Sequence, residues 1–232
     1  MSRMLVATAV AAERDAVLAG LPAGETAVTV AAVGVGPAAA AAGTARLLAL
    51  AEAAGRPYRW VVSTGIGGGF PARAKIGTVV LATRSIAADL GAATPEGFLT
   101  LDELGFGSTV ATPDPRLLAA LRDALPSAVA GAVLTVSTVT GTAPTAATLA
   151  NRYPDAVAEG MEGYGVACAA ALSGAGFAEL RTISNPVGPR NRAAWRIGEA
   201  LAALTAASAA LTVASAALTA ASAAPRPPLE GA

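Results

Sequence analysis

The stretch Trp60-Val61-Val62-Ser63-Thr64-Gly65-Ile66-Gly67-Gly68-Gly69-Phe70 decides the reading of the fold. Its first half is apolar and β-branched, which marks a buried strand over residues 60–64. Glycine then fills four of the five positions 65–69. Glycines this dense cost backbone entropy. They make sense where a flat ligand lies against the main chain, with Gly67 and Gly68 as the expected contact. A bulged turn is the competing explanation.

Outward from this stretch, short apolar runs alternate with alanine-rich ones. Strands are expected at residues 4–10, 27–33, 78–83, 132–138, 156–159 and 180–184. Helices are expected at 12–19, 37–54, 115–125, 145–151, 162–174 and 191–223. Pro37 suits a first helical turn and Gly55 a helix end. The alternation predicts an α/β fold with a central mixed β-sheet flanked by helices. Ligands of such folds sit at the carboxyl ends of strands. That rule nominates six segments: 11–13, 34–37, 65–70, 138–142, 160–162 and 184–188. No composition shift marks a second domain, so residues 1–224 read as one domain. The tail 225–232 opens with Pro225-Arg226-Pro227-Pro228, which cannot continue a helix, and reads as a flexible end.

Composition narrows the chemistry. The 232 residues are 54% hydrophobic and 14% charged, enough apolar material for a sizeable core. Sixteen basic and sixteen acidic residues cancel, which argues against a nucleic-acid partner. The chain has no histidine and one cysteine, Cys168. Imidazole catalysis, histidine metal sites, internal disulfides and cysteine-rich zinc sites are therefore excluded. Catalysis must use carboxylates, amides, hydroxyls, arginine or backbone dipoles.

The apolar stretch 4–12 is short, and Glu13, Arg14 and Asp15 follow at once. It reads as a first buried strand rather than a signal peptide. Residues 201–224 are uncharged over a membrane-spanning length but are mostly Ala, Ser and Thr. Leu204, Leu211 and Leu218 recur every seven residues and form a narrow stripe. A helix docked on the core is expected, with no membrane contact. Use of that stripe for assembly or membrane contact is the alternative.

Several residues could carry chemistry. Glu13 follows the first strand and could be a helix N-terminal carboxylate or a general acid or base. Gly34-Val35-Gly36-Pro37 could present amides to a ligand oxygen or form a plain tight turn. Gly160-Met161-Glu162-Gly163 places a carboxylate at a strand-to-helix junction. It could cap the helix or accept two hydrogen bonds from a ribose diol. Arg181-Thr182-Ile183-Ser184-Asn185 ends a strand before a proline. Asn185 carries a donor and an acceptor and could read a ring edge or form an Asx turn. Arg190, Arg192 and Arg196 follow, and one of them could meet a substrate carboxylate. The long excursion at 85–110 carries Phe98, Leu99, Leu101, Leu104 and Phe106, expected as a lid or apolar wall over the substrate.

Together, Glu13, T-G-I-G-G-G-F at 64–70, M-E-G at 161–163 and R-T-I-S-N at 181–185 resemble the nucleoside phosphorylase and nucleosidase superfamily. Within it, S-N-P-V-G-P-R-N-R-A-A-W-R-I at 184–197 and L-D-E-L-G-F-G at 101–107 are similar to the futalosine hydrolase family. The longer match is the specific signal, since the glycine motif is shared more widely. The resemblance implies a single-domain nucleoside phosphorylase-like fold and a cytoplasmic homo-oligomer without metal or organic cofactor. It implies a small-molecule nucleoside substrate, futalosine, cleaved to hypoxanthine and dehypoxanthinyl futalosine in menaquinone biosynthesis. By position, Glu13 matches the acid that activates water, and Arg181 an arginine near that water. Met161 and Glu162 match the ribose-binding pair. Asn185 stands where adenine-specific nucleosidases of the superfamily carry Asp, which favours a 6-oxopurine leaving group. Ile66 stands where related nucleosidases often carry Ser. A purine nucleoside phosphorylase of the same fold is the near alternative, although Arg46 and Arg84 lie in no glycine-bounded phosphate motif. A non-catalytic nucleoside-binding protein is the other.

Overall fold

A computed structural model describes residues 3–223, so the expected tail at 225–232 lies outside the described residues. The chain runs β1 (Met4–Thr8), α1 (Ala11–Gly20), β2 (Val28–Ala32), α2 (Pro37–Ala53), β3 (Trp60–Gly69) and β4 (Val79–Ala87). It continues β5 (Gly91–Thr94), β6 (Gly97–Thr100), α3 (Leu101–Leu104), β7 (Val110–Ala111), α4 (Pro115–Ala124) and β8 (Val129–Thr135). The last elements are α5 (Ala143–Arg152), β9 (Ala156–Gly160), α6 (Gly163–Leu172), β10 (Gly176–Pro186) and α7 (Ile197–Ala223).

The sheet is mixed, in the order β10-β4-β8-β9-β3-β1-β2, and β10 also pairs with β3. Strands β3, β9, β8, β4 and β10 therefore close into a ring. Strands β1 and β2 extend from β3 as a parallel wing. Strand β3 changes partner along its length. Residues 60–63 pair with β1, whereas Gly68 and Gly69 pair antiparallel with β9. Strand β10 follows β3 in parallel on its other side. The opening where β1 has left β3 and β9 has not yet joined lies at 64–67, inside the glycine run.

Helices cover both sides. Helices α1, α4 and α7 bury Val17, Leu117, Leu121, Leu204, Leu211 and Leu218 against β1, β3 and β10. Helices α2 and α6 close the other side with Leu48, Val166, Ala169 and Ala170. Local chemistry sets the helix starts. Pro37 and Pro115 occupy first-turn positions, and Asp114 accepts from the Arg116 and Leu117 amides. Helix α7 is long and apolar enough to cross a membrane, but its Leu204, Leu211 and Leu218 stripe is packed into the core.

Three expectations need correction. The glycine run is not a bulged turn after a strand, because β3 continues through it to Gly69. Strands β4 and β10 are longer than expected, since each gains partners at both ends of the ring. The helix expected at 191–223 starts at Ile197, after a 3₁₀ turn at Arg192–Ala194. The long excursion at 85–110 has elements of its own. It holds the end of β4, the β5–β6 hairpin, α3 and β7.

Candidate active site

A cavity of about 220 Å³ opens at the partner switch of β3. Each of the six segments nominated by strand ends contributes to its wall. Glu13, Val35, Ile66, Gly67, Gly68, Val139, Thr140, Met161, Glu162, Ser184 and Asn185 all line it. Glu13, Gly67, Gly68, Met161, Glu162 and Asn185 are thus brought together. Arg181 and Phe106 are not on the wall.

Glu13 sits in the first turn of α1 and is buried. Its Oε2 accepts from the Ala9 and Val10 amides at 2.9 and 3.3 Å, and its Oε1 from the Ile66 amide at 2.9 Å. A carboxylate offers about four acceptor positions. The remaining one, on Oε1, is free for a water. The carboxylate is held by β3 as well as by its own helix start. A Cβ at Gly65 would sit 2.5 Å from Glu13 Oε1, so glycine is required there.

Glu162 precedes α6 but makes no side-chain cap bond. It turns back into the cavity instead. Its Oε1 accepts from the Gly36 amide at 3.2 Å, and its Oε2 from Arg181 Nη1 at 3.1 Å and the Met161 amide at 3.3 Å. The Gly34-Val35-Gly36-Pro37 turn therefore presents its amide to a protein carboxylate. Oε1 keeps one position for a hydroxyl. A second hydroxyl of a diol would exchange with the long Met161 bond.

Arg181 is fully buried beneath the cavity. Its Nε donates to Glu179 Oε1 at 2.9 Å, its Nη1 to Glu162, and its Nη2 to Ser63 Oγ at 3.2 Å. Three of its five N–H groups are so engaged, and the bond from Nη1 orients Glu162. Desolvation works against its charge, but Glu179, Glu162 and Glu13 outweigh it and keep Arg181 protonated. Burial pushes the Glu179 carboxyl up, opposed by Arg181 and by the Ser85 hydroxyl that donates to it.

Asn185 lies just after a bulge at Ser184, where β10 slips register against β3. Its Nδ2 donates to Pro186 O at 3.0 Å, and its Oδ1 lies 2.8 Å from the Ser184 hydroxyl. One N–H and one lone pair remain open to a ligand.

Phe106 requires a correction. Helix α3 ends on Gly105 in the left-handed conformation, and the Phe106 amide bonds back to Leu101 O. The ring is turned to solvent and is 79% exposed, away from the cavity of its own chain. Phe98, Leu99, Leu101 and Leu104 likewise line no part of that cavity. Its mouth is instead formed by Val10, Val35, Val139, Pro189, Arg190 and Trp195. The Arg190 guanidinium lies 5.8 Å from the Trp195 ring centre.

Sequence reading missed two carboxylates. Glu159 is the penultimate residue of β9, lines the cavity and is buried. It accepts from the Thr140 amide at 2.9 Å and from the Thr140 hydroxyl. Burial holds its carboxyl above the usual range, opposed by the Thr140 bonds and helped by Asp89. Glu179 was legible as a charge two residues before Arg181, hence on the same strand face. Among the described residues no group of three or more His, Cys, Asp or Glu side chains is gathered to hold a metal ion.

The phosphorylase superfamily family model matches residues 10–220. The chain is 54% identical to a futalosine hydrolase of Streptomyces coelicolor, over 88% of this chain and 92% of that one. It is 46% identical to a futalosine hydrolase of Acidothermus cellulolyticus, over 88% of each chain. In structure it is similar to a 5′-methylthioadenosine/S-adenosylhomocysteine nucleosidase from Colwellia psychrerythraea in complex with adenine. That match has a TM-score of 0.73 at 21% identity, covering 92% of this chain and 94% of that chain. The fold is that of the nucleoside phosphorylases and nucleosidases. The chain belongs to the phosphorylase superfamily and, within it, to the futalosine hydrolases, enzymes that hydrolyse N-glycosyl bonds.

Proposed function

We propose that this chain hydrolyses the N-ribosidic bond of futalosine, releasing hypoxanthine and dehypoxanthinyl futalosine on a route to menaquinone. The observation that carries this reading is a matched pair of carboxylates in one cavity. Glu13 and Glu162 are each fixed by three donors, and each keeps one acceptor position on Oε1. Glu162 holds a ribose hydroxyl, while Arg181 fixes its orientation from beneath. As the base departs, the ribose becomes oxocarbenium-like, and two carboxylates favour that positive charge. Glu13 Oε1 takes a proton from the attacking water. The free Asn185 N–H stabilises charge on the leaving base.

The rest of futalosine is an aromatic carboxylate beyond the ribose. The mouth supplies a matching wall in Trp195 and Val139, with Arg190 as the cation. The same mouth disfavours phosphorolysis. Arg190 is the single cation among the lining residues, Arg84 pairs with Asp155, and Arg181 is engaged by three partners. A cytoplasmic homo-oligomer is part of the proposal. Exposed Phe106 and Leu99 support the oligomer.

Reaction in ¹⁸O-labelled water tests the chemistry. Label at the anomeric hydroxyl of the sugar product is expected without phosphate. A sugar phosphate formed only when phosphate is added overturns the hydrolytic reading.

A further inference from the structure

Glu159 is a buried carboxylate in the cavity wall that the mechanism does not use. Its place relative to Asn185 is fixed by the sheet. Gly68 of β3 pairs with Glu159 on β9 on one side and with Asn185 on β10 on the other. The two side chains thus flank Gly68 across two strand spacings, roughly 10 Å between Cα atoms. Gly68 carries no side chain, and a Cβ there would sit 3.3 Å from Asn185 Nδ2. A flat base lying over Gly68 meets an amide at one edge and a carboxylate at the other.

We propose that Glu159 accepts the N1–H of a 6-oxopurine and, together with Asn185, sets the preference for 6-oxo over 6-amino bases. The inference rests on the nucleosidase reading of the cavity. Hydrogen-bond capacity supports it. Thr140 occupies one acceptor position on each Glu159 oxygen, leaving about two open. Asn185 keeps one N–H. A 6-oxopurine shows acceptors at N7 and O6 and a donor at the adjoining N1, which matches an amide donor beside a carboxylate acceptor. A 6-aminopurine turns a lone pair toward the carboxylate at N1. That leaves two acceptors facing each other in a buried site, a costly mismatch. The competing explanation is that Glu159 only ties down the loop that carries Thr140.

Calorimetry with free bases separates the two. Wild-type protein is expected to bind hypoxanthine roughly 10- to 100-fold more tightly than 1-deazahypoxanthine, in which C–H replaces the N1–H donor and the 6-oxo form carries its ring proton on N3. In Glu159→Gln that difference shrinks several-fold, because a neutral acceptor replaces a charged one. In turnover, the kcat/KM ratio of futalosine over its 6-amino analogue falls by about two orders of magnitude in the same variant. Equal wild-type affinity for the two bases overturns the proposal, and that comparison needs no variant to fold. Equal weakening of both bases in Glu159→Gln also overturns it and leaves only the loop-tying role. If wild-type protein releases no hypoxanthine from futalosine, the reading of the cavity fails and this inference with it. Release with unchanged base discrimination removes Glu159 alone.

Discussion

Arg181 Nη1 lies 3.1 Å from Glu162 Oε2, with both side chains shielded from solvent. The same guanidinium holds Glu179 through Nε at 2.9 Å. One cation thus bridges two buried carboxylates, one structural and one facing the cavity. Removing one partner of a buried pair costs about 3–5 kcal/mol, because a charge is left uncompensated.

Arg181→Met is therefore expected to lose about 3–5 kcal/mol in urea denaturation. The double variant Arg181→Met/Glu179→Leu recovers much of that loss, since the least accessible carboxylate is gone as well. No recovery in the double variant would show that Glu179 is not the main cost.

Glu13→Gln keeps the shape but removes the base. It also brings an amide N–H toward the Ala9, Val10 and Ile66 donors. Steady-state hydrolysis is expected to fall about 100-fold or more in kcat, with the larger share in kcat rather than KM. Full activity would remove Glu13 from the proton-transfer role.

Asn185→Asp replaces a free N–H with a carboxylate oxygen. An ionised group there faces the 6-oxo edge of the base and the Pro186 carbonyl that Nδ2 now binds. The kcat/KM for futalosine is expected to fall about 100-fold, with relative gain on the 6-amino analogue. An unchanged ratio of the two substrates would contradict base reading by this residue.

Arg190→Met tests the mouth. Loss of a charge-assisted contact to the aromatic carboxylate raises the futalosine KM by roughly tenfold and leaves kcat near wild type. Inosine, which lacks the aromatic carboxylate, should show no such change. Equal effects on both substrates would move the carboxylate elsewhere.

Much of the site was legible because strand ends are legible. All six segments that follow predicted strands reach the cavity, and the identities of Glu13, Glu162 and Asn185 speak for themselves as acceptor, acceptor and donor. The glycine run was read as ligand-facing, but not as a strand. Glycine has weak strand preference, and only the pairing of 68 and 69 with β9 makes it one. Glu159 was overlooked because it closes a short apolar strand, where a charge reads as the start of a loop. Its burial depends on Thr140, 19 residues away in sequence. Phe106 was misplaced for the opposite reason. An aromatic side chain signals burial somewhere, and the turn at Gly105 that points it outward is a tertiary matter. Arg181 was expected near the attacking water; its three buried partners on β3, β10 and the loop before α6 hold it beneath the cavity instead.

The most direct measurement follows hypoxanthine by chromatography after incubation with futalosine in phosphate-free buffer, with inosine and methylthioadenosine alongside. The account predicts release from futalosine, much slower release from inosine, and no adenine from methylthioadenosine. No hypoxanthine without phosphate, or adenine as the preferred product, would contradict it.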